Sequence, residues 1–198
     1  MEDFIFILKR KIFHIFTVIY IMLYYLLDKY FGQRDALFSL ILILIFLAFL
    51  EFLQMKYRFR IPFFSQLYRE NEKKTFSGSI YLLVGMIISF AVFDFPIAAA
   101  ASLMMIFGDS ASALVGRLGN HRMDHIKVSW EGIIAEFAVD IAAGFIFLNN
   151  IPVILAMAFC ATTVETLLVS VDDNLAVPLV AGFAGQSLLF LMRIFNVG

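Results

Sequence analysis

Cysteine is almost absent from this 198-residue chain: Cys160 stands alone, so no disulfide within the chain can staple it. Charge is scarce too. Lys, Arg, Asp and Glu make up 16% of the residues, against about 25% in soluble domains. The net charge of −1 leaves no basic footprint for nucleic acid. Proline occurs four times, and no linker or repeat divides the chain. There is no G-x-x-x-x-G-K-[ST] loop, no protein-kinase motif set and no H-E-x-x-H zinc motif. These absences exclude a disulfide-stapled secreted domain, a disordered chain and the usual nucleotide signatures.

What the chain has in excess is apolar surface. Hydrophobic residues are 62% of it, with 24 Phe and a mean hydropathy of +0.91, where soluble domains run at about 45–50% apolar. That composition predicts an integral membrane protein. A spanning helix needs about 20 mostly apolar residues, and seven stretches qualify by eye: 12–27, 36–53, 79–93, 97–114, 133–148, 152–169 and 175–195. The first is not a cleavable signal peptide, because it carries His14 and leads at once into the next. Asp94-Phe95-Pro96 and Asn149-Asn150-Ile151-Pro152 read as turns with polar caps before a first-turn Pro. The expected fold is all-α: one domain over 1–198, a bundle of about seven transmembrane helices. Counting Lys and Arg by loop puts twelve on one side and three on the other. The positive-inside rule then predicts a cytoplasmic N-terminus and an external C-terminus.

An ionised side chain in hydrocarbon is costly unless paired or solvated, so each one is a functional candidate. Here they are Asp109, Glu136, Asp140, Glu165, Asp172, Asp173 and His14. On the predicted topology nearly all lie near the cytoplasmic helix ends, which implies a polar cavity opening to that side. Gly108, Ser112 and Gly116 recur every four residues, leaving a smooth strip for a neighbouring helix or a phosphate. Asp109 is a hard oxygen ligand of the kind Mg²⁺ takes, and Arg117 follows about two turns later. Small-residue packing around an Asp–Arg pair accounts for the segment equally well.

Ser129 is placed to cap the next helix, whose start forms an anion site, with Lys127 beside it as a point charge. Glu136 and Asp140, four apart, share one helix face and would bind a cation, share a proton or make structural contacts. Asp172-Asp173-Asn174 suits a metal or a base, or else a helix cap with Pro178 close behind. Arg10 and Lys11 lie one turn from His14 on the same side of a helix. Cations against phosphates, carboxylates for a metal and a held acceptor are what phosphoryl or nucleotidyl transfer needs.

Five groups of residues then occur in a familiar order: Arg10-Lys11 with His14; Arg69-Glu70-x-Glu72 with Gly78 and Tyr81; Gly108-Asp109 with Ala111 through Gly116-Arg117; Lys127 with Glu131-Gly132; and Asp172-Asp173-Asn174-Leu175 with Pro178-Leu179. In this the chain resembles the CTP-dependent lipid kinases, which include dolichol and polyprenol kinases, phytol kinases and CTP-dependent diacylglycerol kinases. The resemblance runs from about residue 9 into the last apolar stretch. It implies transfer of the CTP γ-phosphate to a membrane lipid alcohol, a polyprenol or dolichol first among them, with Mg²⁺ or another divalent cation. It also implies that the chain is the family's core alone.

Arg10, Lys11, Asp109, Gly116 and Arg117 match positions tied to the nucleotide. Carried over, the catalytic candidates are Asp109, Asp172, Asp173 and His14. The CTP-binding candidates are Arg10, Lys11, Gly108, Ser112, Gly116, Arg117, Lys127 and Asn174, and the metal candidates are Asp109, Asp173 and Glu136. Two positions depart from the family pattern: Val128 separates Lys127 from Ser129, and Ile133 follows Glu131-Gly132 where Ser or Thr is usual. The expected partners are CTP and the lipid alcohol, in a membrane, with the active site facing the cytoplasm; a homodimer is left open. The competing readings are a membrane cytidylyltransferase making a CDP-lipid, whose Lys-Asp and His-Gly-Gly patterns are missing here, and a small ion or metabolite transporter.

Overall fold

The structure is a computed structural model, and it describes residues 14–57, 76–119, 121, 129–167 and 171–195. All of the elements are helical: α1 (Val18–Phe31), α2 (Gln33–Tyr57), α3 (Gly78–Val92), α4 (Phe95–Leu103), a π segment (Met104–Gly108), α5 (Asp109–Leu118), α6 (Trp130–Phe147), α7 (Ile151–Leu167) and α8 (Asp173–Ile194). α4, the π segment and α5 run on as one 24-residue rod, Phe95–Leu118. The all-α expectation therefore stands, but the count of seven spans does not.

Three helices are long and apolar enough to cross a membrane among the described residues: Gln33–Lys56, Phe95–Leu118 and Asp173–Ile194. The others fall short over the residues described. α1, α3 and α7 have 14, 15 and 17 residues; at 1.5 Å per residue they reach roughly 21–26 Å, under the ~30 Å of a hydrocarbon core. α6 has 18 residues but carries Glu131, Glu136 and Asp140. The expected orientation, N-terminus cytoplasmic and C-terminus outside, is counted through seven alternating spans; the three qualifying helices assign no side to either terminus.

Membrane association itself is supported by where the apolar side chains go. α2 is apolar almost all round, yet Phe38, Leu42, Ile45, Phe46, Phe49 and Phe52 stand exposed on it. A 25-residue helix with that surface belongs against lipid rather than water. The core lies instead around the Phe95–Leu118 rod, where Ile97 through Ala101 and Met104 to Ile106 are fully buried. Alanines at four consecutive positions, 98–101, let neighbouring helices pack close on every side of α4.

The turns follow the local chemistry. Asn150 Oδ1 accepts from Val153 N at 3.2 Å, capping α7 ahead of Pro152. Asp94 precedes α4 with Pro at the first turn, yet its carboxylate makes no cap; it accepts from Gln186 Nε2 at 3.2 Å and pairs with Arg193 at 3.8 Å, tying this turn to α8. Glu51 on α2 does the capping for α3, accepting from Ser77 N at 2.9 Å and Ser77 Oγ at 2.5 Å. Tyr24 stacks on Phe90 with ring centres 4.2 Å apart, which fixes α1 on α3.

α8 packs against α7 and α3. Its approach to α3 depends on Gly85, where a Cβ would stand 3.1 Å from Asn174 O and 3.2 Å from Leu175 O. Backbone cannot swing aside as a side-chain tip can. Gly85→Leu is accordingly expected to destabilise the fold by about 1–3 kcal/mol through overpacking. That exceeds the roughly 0.8 kcal/mol which Leu gains over Gly in helix propensity. Thermal unfolding in detergent measures it, and an unchanged midpoint would mean that α8 does not need this approach.

Candidate functional site

The strip read from Gly108, Ser112 and Gly116 faces α6. A Cβ on Gly108 would collide with Asp140 Oδ1 and stand 3.3 Å from Glu136 Cγ. One on Gly116 would stand 3.3 Å from Ser129 Oγ and 3.6 Å from Gly132 Cα. Ser112, between them, is within hydrogen-bonding reach of Glu136. Residues spaced by four on the central rod thus meet Gly132, Glu136 and Asp140, also spaced by four, in antiparallel register. The strip is a helix seam: Gly108 admits the acids of α6, and Gly116 lets Ser129 and Gly132 come close. As its position predicts, Ser129 caps α6, accepting from Gly132 N at 3.1 Å.

That seam puts two carboxyl groups inside the bundle. Glu136 is 1% exposed and Asp140 0%. Asp140 Oδ2 accepts a hydrogen bond from Thr162 Oγ1 on α7 at 3.1 Å, while Asp140 Oδ1 and Glu136 Oε2 have no hydrogen-bond partner among the described residues. Glu165, one turn further along α7, is within hydrogen-bonding reach of Glu136, and Asp109 and Asp173 are close enough to interact with it electrostatically. His14 Nε2 lies 3.9 Å from Asp109 Oδ2. The fold therefore gathers Asp109, Glu136, Asp140, Glu165, Asp173 and His14 from five parts of the chain, as candidates chosen one by one in the sequence.

The start of α8 completes this end. Asp172 is its cap: Asp172 Oδ1 accepts from Asn174 N at 3.1 Å and from Asn174 Nδ2 at 2.8 Å. Asp173 Oδ1 accepts from the same two nitrogens, at 2.9 and 3.0 Å. Asn174 is not itself the cap but lies within α8, 5% exposed, with its Nδ2 2.8 Å from where a Cβ on Gly78 would be. The cap chemistry was legible in Asp172-Asp173-Asn174; which residue performs it was not.

The basic candidates are less concentrated. Arg117 is exposed on the last turn of α5, eight residues or roughly 12 Å along the helix from Asp109. Arg10, Lys11 and Lys127 lie outside the described residues, as do Arg69, Glu70 and Glu72. At the same end His121 Nδ1 and Glu131 Oε1 approach to 2.7 Å.

Whether the acids suit a divalent cation depends on the kind of site. No three His, Cys, Asp or Glu side chains among the described residues form a ready metal cage. Mg²⁺ seldom needs one: it keeps waters and binds through one or two carboxylates plus substrate phosphates. Asp109, one-fifth exposed beside fully buried acids, is suited to that sharing, and the partnerless Glu136 Oε2 adds oxygen capacity behind it. The residues fit a metal that arrives with its nucleotide.

Two features went unseen in the sequence. One is the π turn Met104–Gly108, which ends where Asp109 begins; such turns are frequent at functional sites. The other is Thr162, whose bond to Asp140 spans 22 positions.

Comparison with known proteins gives the site a context. The chain is 27% identical over 150 residues to CTP-dependent diacylglycerol kinase 1 of Saccharomyces cerevisiae, covering 71% of this chain and 50% of that protein. It is 26% identical over 148 residues to the protein of the same name from Eremothecium gossypii, covering 70% and 45%. These similarities link it to CTP-dependent lipid kinases at the level of a family. An uncharacterized protein of Rickettsia prowazekii is 29% identical over 189 residues, 90% of this chain and 92% of its own length. The chain spans about half the length of the two fungal kinases. No family model and no solved structure matches it.

Proposed function

We propose that the chain is a CTP-dependent lipid kinase, integral to the membrane, which transfers the γ-phosphate of CTP to the hydroxyl of a lipid alcohol. The observation that carries this reading is the convergence of Asp109, Glu136, Glu165 and Asp173 in an apolar bundle, with His14 3.9 Å from Asp109. An apolar bundle keeps such a cluster only at a cost, and the similarity to two CTP-dependent kinases names a reaction that uses one. Phosphoryl transfer is mostly positioning and charge stabilisation. The acceptor O–H gives up its proton, its oxygen bonds to the γ-phosphorus, and the bond to the β–γ bridging oxygen breaks to release CDP.

In this reading Asp109 would hold a divalent cation that arrives with the nucleotide and would neutralise phosphate charge, with Asp173 and Glu136 adding negative charge around it. His14 takes the acceptor proton, since imidazole is a common general base and its Nε2 lies 3.9 Å from the Asp109 carboxylate. Asp172 and Asn174 fix the position of Asp173. Arg117, Arg10, Lys11 and Lys127 supply cations for the phosphates, and the site faces the cytoplasm, the source of CTP.

Diacylglycerol stands ahead of polyprenol or dolichol as acceptor, because both named relatives are diacylglycerol kinases. The test is purified protein with CTP, Mg²⁺ and a panel of diacylglycerol, polyprenol and phytol-type alcohols. Lipid phosphate should form in step with CDP, and fastest from diacylglycerol. Faster phosphorylation of polyprenol would reverse the order of acceptors, and no lipid phosphate from any of them would overturn the kinase reading.

A further inference from the structure

We infer that Asp140 and Thr162 form a positioning pair which, through Gly108, sets where Asp109 presents its carboxylate to the nucleotide-bound cation; this rests on the kinase reading. Asp140 touches neither lipid nor solvent. It is fully buried on α6, one oxygen held by the Thr162 hydroxyl at 3.1 Å and the other without a partner among the described residues. Leaving a buried acceptor unsatisfied is unfavourable, so packing alone is a poor reason for an acid here.

Its place supplies a better one. A Cβ on Gly108 would collide with Oδ1 and stand 3.2 Å from Asp140 Cγ, so the carboxyl group packs against the backbone of the residue before Asp109. Gly108 is also the last residue of the π turn, the point at which the central rod returns to α-helical geometry. A helix can relax out of a π turn by rotating everything that follows. The Asp140 carboxyl group, tethered from the far side by Thr162, blocks that rotation at the position where it would carry Asp109 with it. Thr162 links Asp140 to α7, and Glu165 one turn on reaches Glu136, so α6 and α7 are tied at both acids beside Gly108.

This account makes shape the essential property of Asp140. Asp140→Asn keeps the wedge and an acceptor for Thr162; Asp140→Ala removes both. Thr162→Ser keeps the tether; Thr162→Val removes it. Supporting contacts behind a metal ligand are typically worth about 10–100-fold in metal affinity. The probe is Mn²⁺ with CTP, its binding to the detergent-purified full chain read by electron paramagnetic resonance, with the unfolding midpoint measured in parallel.

Asp140→Ala and Thr162→Val should weaken Mn²⁺·CTP binding by about tenfold or more, with Asp140→Asn and Thr162→Ser close to wild type. Gly108→Ala should weaken it as well, and less so in an Asp140→Ala background, because the colliding oxygen is gone. Lower midpoints with unchanged affinity in the Ala and Val variants would overturn the pair as a positioning device and leave it purely structural. Additive effects of Gly108→Ala and Asp140→Ala would overturn the contact between them. A wild-type chain that binds Mn²⁺·CTP but phosphorylates no lipid would refute the kinase reading while the pair survives; one that does not bind it at all refutes both.

Discussion

Asp109→Asn should lower kcat/KM for CTP-dependent lipid phosphorylation by about two to three orders of magnitude, the scale of losing one preorganised charge-stabilising group. The substitution keeps the volume and the hydrogen-bonding outline of the side chain and removes only the charge. Asp109 is one-fifth exposed at the first turn of α5, and Asn keeps a polar oxygen facing His14. The folded protein should therefore survive, with an unfolding midpoint close to wild type. Steady-state kinetics across a Mg²⁺ titration check it, and a fully active Asp109→Asn variant would remove the metal-binding role from this residue.

Arg117→Ala carries the second largest expected effect, about a ten- to hundredfold loss in kcat/KM for CTP. That is what a charge-assisted phosphate contact of roughly 1.5–3 kcal/mol supplies. Arg117 is exposed on the last turn of α5, two turns beyond Asp109. A guanidinium there would have the length and freedom to reach a triphosphate whose metal Asp109 would hold. The loss should fall on CTP and leave the dependence on lipid alcohol concentration unchanged. If Arg117 anchors the bundle to lipid headgroups instead, the variant will express or insert poorly with normal CTP kinetics.

Much of this arrangement was legible before any coordinates, and for identifiable reasons. Glu136 and Asp140 could be placed on one face by spacing alone, and Ser129 announced the cap of α6. Asp109, Glu165 and Asp173 stood out because acids are rare in such an apolar chain. What apolarity does not encode is helix length. The 15 residues of Gly78–Val92 and the 17 of Ile151–Leu167 read like membrane spans, because a helix packed among greasy neighbours needs the same composition as one in lipid. The small strip Gly108-Ser112-Gly116 was readable as a phosphate cradle or a helix seam, and only the position of α6 decides for the seam.

The π turn leaves no mark, since Met104, Met105, Ile106 and Phe107 suit an α-helix equally well. Thr162 was invisible for a related reason. In an apolar helix a threonine usually bonds its own backbone, and nothing local says that this one reaches across to Asp140.

The most direct test of the central claim is the fate of each phosphate of CTP. Purified wild-type protein, supplied with diacylglycerol and Mg²⁺, is given CTP labelled at the γ-phosphate in one reaction and at the α-phosphate in another. A kinase moves the γ label into the lipid extract and leaves the α label in soluble CDP. Label entering the lipid from the α position, with the γ label released as pyrophosphate, would contradict the account and make the chain a cytidylyltransferase.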